Sequence, residues 1–426
     1  MKEREIRALT PDDLTDYTGL YLNAYPSGKD LSEACFDKYF KRSLQAMGEY
    51  PHVHFFGLFE EGTLIATMKL IDFDINLFGQ MRKATGLMSL GVHTLHKKKG
   101  AARDMVRFFE KYTVESGTAV SVLLPFRIDF YRKLGYGCGT RLDEYHIQME
   151  YLPENRNLSR LRMLSKSDMG KIVDCHREFV RRNHGALDKF EEEIRDMESD
   201  DEIRRIGYFE EGRLKGYAAF TYAGTSDHNY TLNMMDVKEL IYHDQETLSA
   251  LLGGLRLQND LAQTVKIRSG EPDFFHLLRS PQDVSGNYID FGFLQTNVSA
   301  VGTMYKIPEI RRFIEDTSHR EFPPEDLTVG FCVRDENGEA EQRFAVGFAA
   351  DDSRSRWSYA GSEKAFSEAE VHVACRLSDL SSLFMGSAEF GGLERLGVMK
   401  TDDPSYVGRL DLLFHARQKP FSNTDF

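Results

Sequence analysis

The residues best suited to chemistry lie between Leu87 and Gly139. Lys97, Lys98, Lys99, Gly100, Ala101 and Ala102 make a basic, small-residue turn, and behind it Met105, Val106, Phe108, Phe109 and Tyr112 recur at helical spacing. Free backbone N–H groups and the positive end of a helix dipole point out of such a turn, which can therefore hold a pyrophosphate. Lys97, Lys98, Lys99 and Arg103 would supply counter-charge. Taken alone, a lysine run before a glycine also describes a solvated surface turn. The context favours the phosphate reading, because an apolar run with Leu87, Leu90, Val92 and Leu95, broken by Gly91, precedes it as a strand. Further on, Phe130-Tyr131-Arg132-Lys133-Leu134-Gly135-Tyr136-Gly137 brings two phenols, each with a reference pKa of ~10, as candidate proton donors.

The elements that must position these residues are also legible. Residues 4–25 read as a short strand and a helix, with Thr10 as N-cap, Pro11 in the first turn and Asp12 and Asp13 beside the helix dipole. Leu31 to Met47 carries a second helical pattern, whose stripe of Phe36, Tyr39, Phe40 and Leu44 reads as core, with a binding wall as the alternative. His54–Phe59, the turn Glu60-Glu61-Gly62 and Leu64–Leu70 read as an antiparallel hairpin leading into the Leu87 strand.

An internal repeat predicts the architecture. Phe59-Glu60-Glu61-Gly62-Thr63-Leu64 returns as Phe209-Glu210-Glu211-Gly212-Arg213-Leu214, Arg7–Thr10 as Arg162–Ser165, and Leu90–His93 as Leu240–His243. Two copies of one module, 1–150 and 151–295, are expected. After His243 the second copy carries Asp244, Gln245 and Glu246 in place of the basic turn, so it should keep the fold without the phosphate site. Gly253-Gly254 reads as a packing point inside a helix. Residues 296–426 form a third segment, with a strand at Met304–Ile307, a helix at Pro308–Glu315, a turn at Asp335–Gly338 and a helix at Leu377–Gly386.

The run Lys97-x-x-Gly100-x-Ala102 resembles the pyrophosphate loop of GNAT N-acetyltransferases, and Phe130–Gly137 resembles their following helix and strand. With the closing Asp425-Phe426, the chain is similar to the enhanced-intracellular-survival (Eis) family. That resemblance implies an α/β (α+β) chain: tandem GNAT acetyltransferase modules and a sterol-carrier-like C-terminal domain. It further implies acetyl-CoA as co-substrate with no metal, and acetyl transfer to a primary amine of a cationic small molecule, aminoglycoside- or polyamine-like. Acetyl-CoA would be held by Leu90, Gly91, Val92, Lys97, Lys98, Lys99, Gly100, Ala101 and Ala102. Pantetheine would lie along Leu90–Val92, with Gly91 admitting a close approach and a backbone N–H there meeting the oxyanion. Where the family loop has Arg this chain has Lys97, which exchanges a bidentate contact for a point charge.

The resemblance places the general acid on Tyr131, leaving Tyr136 to pack the Gly135–Gly137 turn. It makes the Phe426 carboxylate the proton acceptor and lines the amine pocket with Asp425. An α-carboxylate with a pKa of ~3.5 is a poor direct base for an ammonium. It would hold the cation and take the proton through water, or be raised by burial. A homo-oligomer, a hexamer in the family, is implied as well.

Composition agrees with an ordinary globular chain of 426 residues. Five scattered cysteines, Cys35, Cys138, Cys175, Cys332 and Cys375, without a C-x-x-C pair, read as reduced thiols. A net charge of −13 disfavours nucleic acid and suits a cationic substrate. The absence of a long apolar run and of an apolar leader predicts a cytoplasmic chain with no membrane partner. The Cys175-His176 pair, adjacent on a helix, is not expected to be a dyad. Two alternatives remain open on the same scaffold: a non-catalytic lipid or acyl-CoA carrier using the third domain, and a protein-lysine acyltransferase.

Overall fold

The computed structural model describes residues 3–27, 29–155, 158–338, 340–351 and 353–426. Three sheets organise it. The first module supplies β1 (Arg4–Ala8), β2 (Val53–Glu60), β3 (Thr63–Leu77), β4 (Gln80–Val92), β5 (Ser121–Leu123) and β6 (Gly137–Cys138), with helices α1 (Leu14–Ala24), α2 (Glu33–Glu49), α3 (Ala101–Glu115) and α4 (Ile128–Arg132). The hairpin of β2 and β3 turns at Glu61 and Gly62, both at positive φ (51° and 78°). The repeat returns the same turn at Glu211 and Gly212 (48° and 79°). Such a turn matches the strand twist, and glycine adopts it without steric cost.

The middle of the chain supplies β7 (Arg141–Gln148), β8 (Leu161–Leu164), β9 (Arg204–Glu210), β10 (Arg213–Gly224), β11 (Asn233–Tyr242), β12 (Thr264–Ser269) and β13 (Val298–Val301), with α5 (Met169–Arg182), α6 (Glu191–Ser199) and α7 (Gln245–Arg256). The last part holds β14 (Met304–Lys306), β15 (Leu327–Arg334), β16 (Glu341–Ala350), β17 (Ser355–Ala360), β18 (Val371–Arg376) and β19 (Lys400–Thr401), with α8 (Ile310–Asp316), α9 (Glu363–Ser367), α10 (Leu377–Phe384), α11 (Phe390–Arg395) and α12 (Val407–Phe414).

The strand orders are β1-β2-β3-β4-β5-β14-β6, β13-β7-β12-β11-β10-β9-β8 and β17-β16-β15-β18-β19. Three strands therefore pair outside the segments that the repeat suggests. β7, before residue 150, pairs in the second sheet with β12 and with β13, itself after residue 295, whereas β14, also after residue 295, lies between β5 and β6 of the first. Each satisfies backbone groups that its own segment would leave unpaired at a sheet edge. The exchange fastens the three parts together. One apolar core accordingly runs from Phe73 and Ala84 of the first sheet through Tyr305 to Phe331 and Phe384 of the third domain. In that third domain the rings of Phe331, Phe344, Phe384 and Phe414 stack or meet edge-on, and Trp357 joins them. Among the described residues no helix is long and apolar enough to cross a membrane.

Candidate active site

β4 and β5 are hydrogen-bonded in parallel only from Thr85–Ser121 to Leu87–Leu123, and beyond that they part. A bulge helps them do so. The β3–β4 register shifts between Thr67 and Lys69, and Ser89 stands at φ 55°, a conformation uncommon for a side-chain-bearing residue. A cleft of about 450 Å³ opens on the parted side, bounded by Leu90, Gly91 and Val92 on one wall and by Phe126, Phe130 and Tyr131 on the other. Its end is the basic turn, through Lys97, Lys98, Gly100, Ala101, Ala102 and Arg103. Gly100, at φ 90°, precedes α3, and no side chain caps that helix. The first-turn amides of α3 thus meet the cleft without an internal acceptor, beside three cationic side chains. This is the arrangement a pyrophosphate requires.

One expected contact is arranged differently. The Lys99 ammonium donates back to the Leu95 carbonyl at 3.1 Å, and the Lys99 carbonyl accepts from Arg4 at 3.2 Å, so its side chain braces the turn rather than lining the cleft. Gly91 is small for a different neighbour as well. A Cβ there would stand 3.0 Å from both the Ala24 Cβ and the Leu20 Cδ2 of α1, so helix packing on that face requires the glycine.

Tyr131 is nearly buried and touches the ring of Phe130 edge-on at 5.1 Å. Burial pushes its phenol up to about 12, so it stays protonated through neutral pH and can donate. Tyr136 is sealed in the core, its hydroxyl beside the Ser121 hydroxyl at 3.3 Å, and it packs against Phe109.

Residues 5–139 and 180–295 each match an acetyltransferase (GNAT) domain family, and residues 310–423 match the sterol carrier protein domain. The chain carries two GNAT acetyltransferase domains. It is an acyl-CoA-dependent acetyltransferase of Eis-like architecture, acetyl-CoA being the co-substrate of GNAT domains. No curated protein matches it. Among solved structures, Eis1 from Mycobacterium abscessus is similar over 99% of this chain and 100% of its own, at 17% identity and a TM-score of 0.75. A GCN5-related N-acetyltransferase from Anabaena variabilis covers both chains fully at 14% identity and 0.78. A probable N-acyltransferase from Enterococcus faecalis does so at 15% and 0.75.

The corresponding helix start of the second GNAT domain is capped. The Asp244 carboxylate accepts from the Thr247 amide at 2.8 Å and from its hydroxyl at 2.7 Å, so a fixed anion already caps α7 where the first domain leaves α3 open. Gly253 and Gly254 pack as expected, a Cβ at each meeting Asn155 at 2.7 Å and Leu161 at 2.6 Å. Cys175 and His176 form no dyad. Burial pushes the thiol up to about 12 and the imidazole down to about 3, and the thiol's neighbour is His243.

Sequence reasoning missed a cluster of aromatic residues beside the cleft. Tyr25, on the wall of the cleft, donates to the Leu90 carbonyl at 2.9 Å. The Lys29 ammonium lies over three rings, 5.2 Å from the centre of Tyr21, 5.6 Å from Tyr39 and 5.8 Å from Tyr25. Tyr39 belongs to the α2 stripe that sequence alone assigned to core. The aromatic spacing was visible, but nothing in it said that α1 and α2 would bring those rings around one cation.

The chain's last residues reach the first sheet. Phe426 meets Phe73 edge-on at 4.9 Å, beside Gly86 of β4, where a Cβ would approach its ring to 3.1 Å. The Asp425 amide donates to Glu193 at 3.5 Å, and loss of hydration raises the Asp425 carboxyl against the pull of Lys189. Glu193 is held by Lys189 at 2.5 Å, which in turn bonds Glu239 at 3.1 Å. Burial nevertheless pushes Glu193 up to about 7.

Proposed function

We propose that the chain transfers an acetyl group from acetyl-CoA to a primary amine of a small polycation, of the aminoglycoside or polyamine class. The observation that carries this reading is the cluster of Tyr21, Tyr25 and Tyr39 rings, which holds the ammonium of Lys29 and would hold a substrate ammonium in its place, next to the cleft proposed for the acyl donor. Tyrosine faces attract a cation, by roughly 0.5–1 kcal/mol at exposed sites and more where water is excluded. Tyr25 belongs to both the ring cluster and the cleft wall, so an amine held by the rings would stand close to the thioester.

The residues divide the work as follows. Lys97, Lys98 and the amides of Gly100, Ala101 and Ala102 would bind pyrophosphate, and Leu90, Gly91 and Val92 would run along pantetheine. Acetyl-CoA supplies the activated acyl group. Tyr131, protonated at neutral pH, would give its hydroxyl proton to the departing sulfur. Asp425 would hold the acceptor's cationic groups, and the Phe426 carboxylate would collect the proton that the amine loses, through water. The cleft lining contains no carboxylate among its described residues, which supports seeking the acceptor of that proton in another part of the chain.

We also propose self-association through the apolar strap before β13, where Tyr288, Phe291 and Phe293 are exposed. Sedimentation should show Phe291→Asp shifted to smaller species.

The test is a panel of amines with acetyl-CoA, read by mass spectrometry. Polyamines or aminoglycosides should gain one or more acetyl groups. Acetylation confined to protein lysines, or no turnover with any amine, would overturn the reading.

A further inference from the structure

The cleft of the first GNAT domain has a counterpart in the second. β11 and β12 pair in parallel only from Met234–Thr264 to Val237–Ile267 and then part, as β4 and β5 do. The space between them is a cavity of about 300 Å³ bounded by Leu240 and Tyr242 of β11, by Ser269 at the end of β12 and by Gly270 and Phe274 beyond it. Leu240 and Tyr242 are the repeat equivalents of Leu90 and Val92. Along its other side runs the chain's own last segment: His415–Lys419, Phe421 and Asn423 line the same cavity, and Phe421 is pressed on Gly270, where a Cβ would fall 2.1 Å from its ring.

The fit is specific on both sides of the segment. Gly185, at φ 77°, faces Pro420, where a Cβ would stand at 2.5 Å. The Phe421 amide donates to the His184 carbonyl at 3.0 Å, and Gln418 accepts from the His184 amide at 3.0 Å. Next, the Leu187 amide donates to the Ser422 hydroxyl at 3.2 Å, and the buried Thr424 hydroxyl donates to the Leu187 carbonyl at 2.8 Å. The other edge of this 184–188 segment is joined to β3: Gly185 donates to Asn76 at 2.8 Å, Asp188 to Asp74 at 2.9 Å, and Ile75 faces Leu187 in an antiparallel bridge. A continuous set of contacts thus links the Gly270 cleft through Leu187 to the strand that carries Phe73, the ring on which Phe426 rests.

We infer that the former acyl-donor cleft of the second GNAT domain is the socket for the chain's own segment 416–423, and that Phe421 in that socket positions Asp425 and Phe426 for acetyl transfer in the first domain. The inference rests on the proposed roles of Asp425 and Phe426. Phe421 is a positioning residue, since it touches neither reacting group. It sits five residues from Phe426, and a reacting carboxylate displaced by about 1 Å can cost a large factor in rate. This gives the second domain a task that needs no cofactor: with α7 capped by Asp244, its parted strands hold a peptide.

The experiment compares Phe421→Ala, Phe421→Leu, Gly270→Ala and the double variant Gly270→Ala with Phe421→Ala against a Phe426 deletion. It reads kcat and KM for a polyamine, acetyl-CoA affinity, and hydrogen exchange of residues 416–426 and 184–188. Phe421→Ala and Gly270→Ala should each speed exchange in those two stretches and lower kcat by about 10-fold or more, with acetyl-CoA affinity unchanged. In the double variant, the added methyl meets no ring and should cost nothing further. Phe421→Leu, which keeps an apolar anchor, should retain most of the rate and serves where the alanine variant does not fold. Faster exchange with an unchanged kcat in Phe421→Ala, while deletion of Phe426 is damaging, overturns the positioning role alone. Unchanged exchange overturns the socket. An unaffected Phe426 deletion instead overturns the reading of the terminal residue.

Discussion

At the scale of single residues, the chemistry proposed for the first cleft turns on one phenol and one uncapped helix start. Tyr131 owes its reluctance to ionise to burial beside Phe130, which pushes its phenol up to about 12, above the ~10 of a free tyrosine. Tyr131→Phe keeps the ring and its packing and removes only the hydroxyl. Acetyl-CoA affinity should persist while kcat falls by roughly 10²-fold, the scale of general acid catalysis; stopped-flow or steady-state rates with a saturating amine check it. Tyr136 is the control position, because its hydroxyl is enclosed beside Ser121 and faces no cleft. The difference between these two tyrosines was legible in the sequence only through the family resemblance, because the apolar spacing is equally compatible with either ring facing inward. The basic turn was legible directly, since a small-residue turn between a strand and a helix is a local feature. Lys99 and Gly91 show the limit of that reading. Lys99 turns to Leu95 and Gly91 is pressed by α1, and both outcomes depend on neighbours that no local pattern names.

At the scale of elements, α3 and α7 answer the same requirement in opposite ways. Four amides at each helix start need acceptors; α7 takes the Asp244 carboxylate, and α3 leaves them to the cleft. Asp244→Ala should therefore lower stability by ~1 kcal/mol, the usual worth of a helix cap, seen as a lower denaturant midpoint with acetyl-CoA affinity unchanged. The loss of the basic turn after His243 was plain in the sequence, but its replacement by a cap bond was a matter of geometry. α6 carries a second testable charge. Glu193 faces Lys189, Glu239 and Asp425, with Tyr217 and His176 around the same Glu239, and burial outweighs Lys189 to push it from 4.5 up to about 7. A carboxyl whose folded pKa is raised favours the folded state least once it must ionise. Its penalty is absent below about pH 4.5, grows as pH rises, and is complete above about pH 7. The Tm of Glu193→Gln relative to the parent chain should accordingly rise across that window and level off above it. A difference that shrinks with pH would mean that Lys189, not burial, controls the carboxyl.

At the scale of the molecule, the sheets explain why a repeat could be read and a layout could not. The hairpin turns at Glu61-Gly62 and Glu211-Gly212 announce two modules, since each is a short-range pattern written twice. The insertion of β14 between β5 and β6, and the passage of β7 into the second sheet, join residues more than a hundred positions apart, for which periodicity carries no signal. The same holds for the Phe421 socket, where Phe421 meets Gly270. With both GNAT domains present, the number of acyl donors per chain becomes a direct measure of how far they have diverged. The first has an uncapped helix, three cationic side chains and an open cleft. The second has its helix start occupied by Asp244 and Phe421 seated on Gly270 beside its parted strands. Because a second negative charge would have to displace Asp244 and a pantetheine would have to displace a seated ring, the two obstacles act together on one ligand. Calorimetry should count one acetyl-CoA per chain, and Gly100→Asp, which puts a side chain and a like charge into the open site, should abolish that single event. Two equivalent sites in the parent chain, or a residual site of similar affinity in Gly100→Asp, would show that the carboxylate and the ring yield to the ligand.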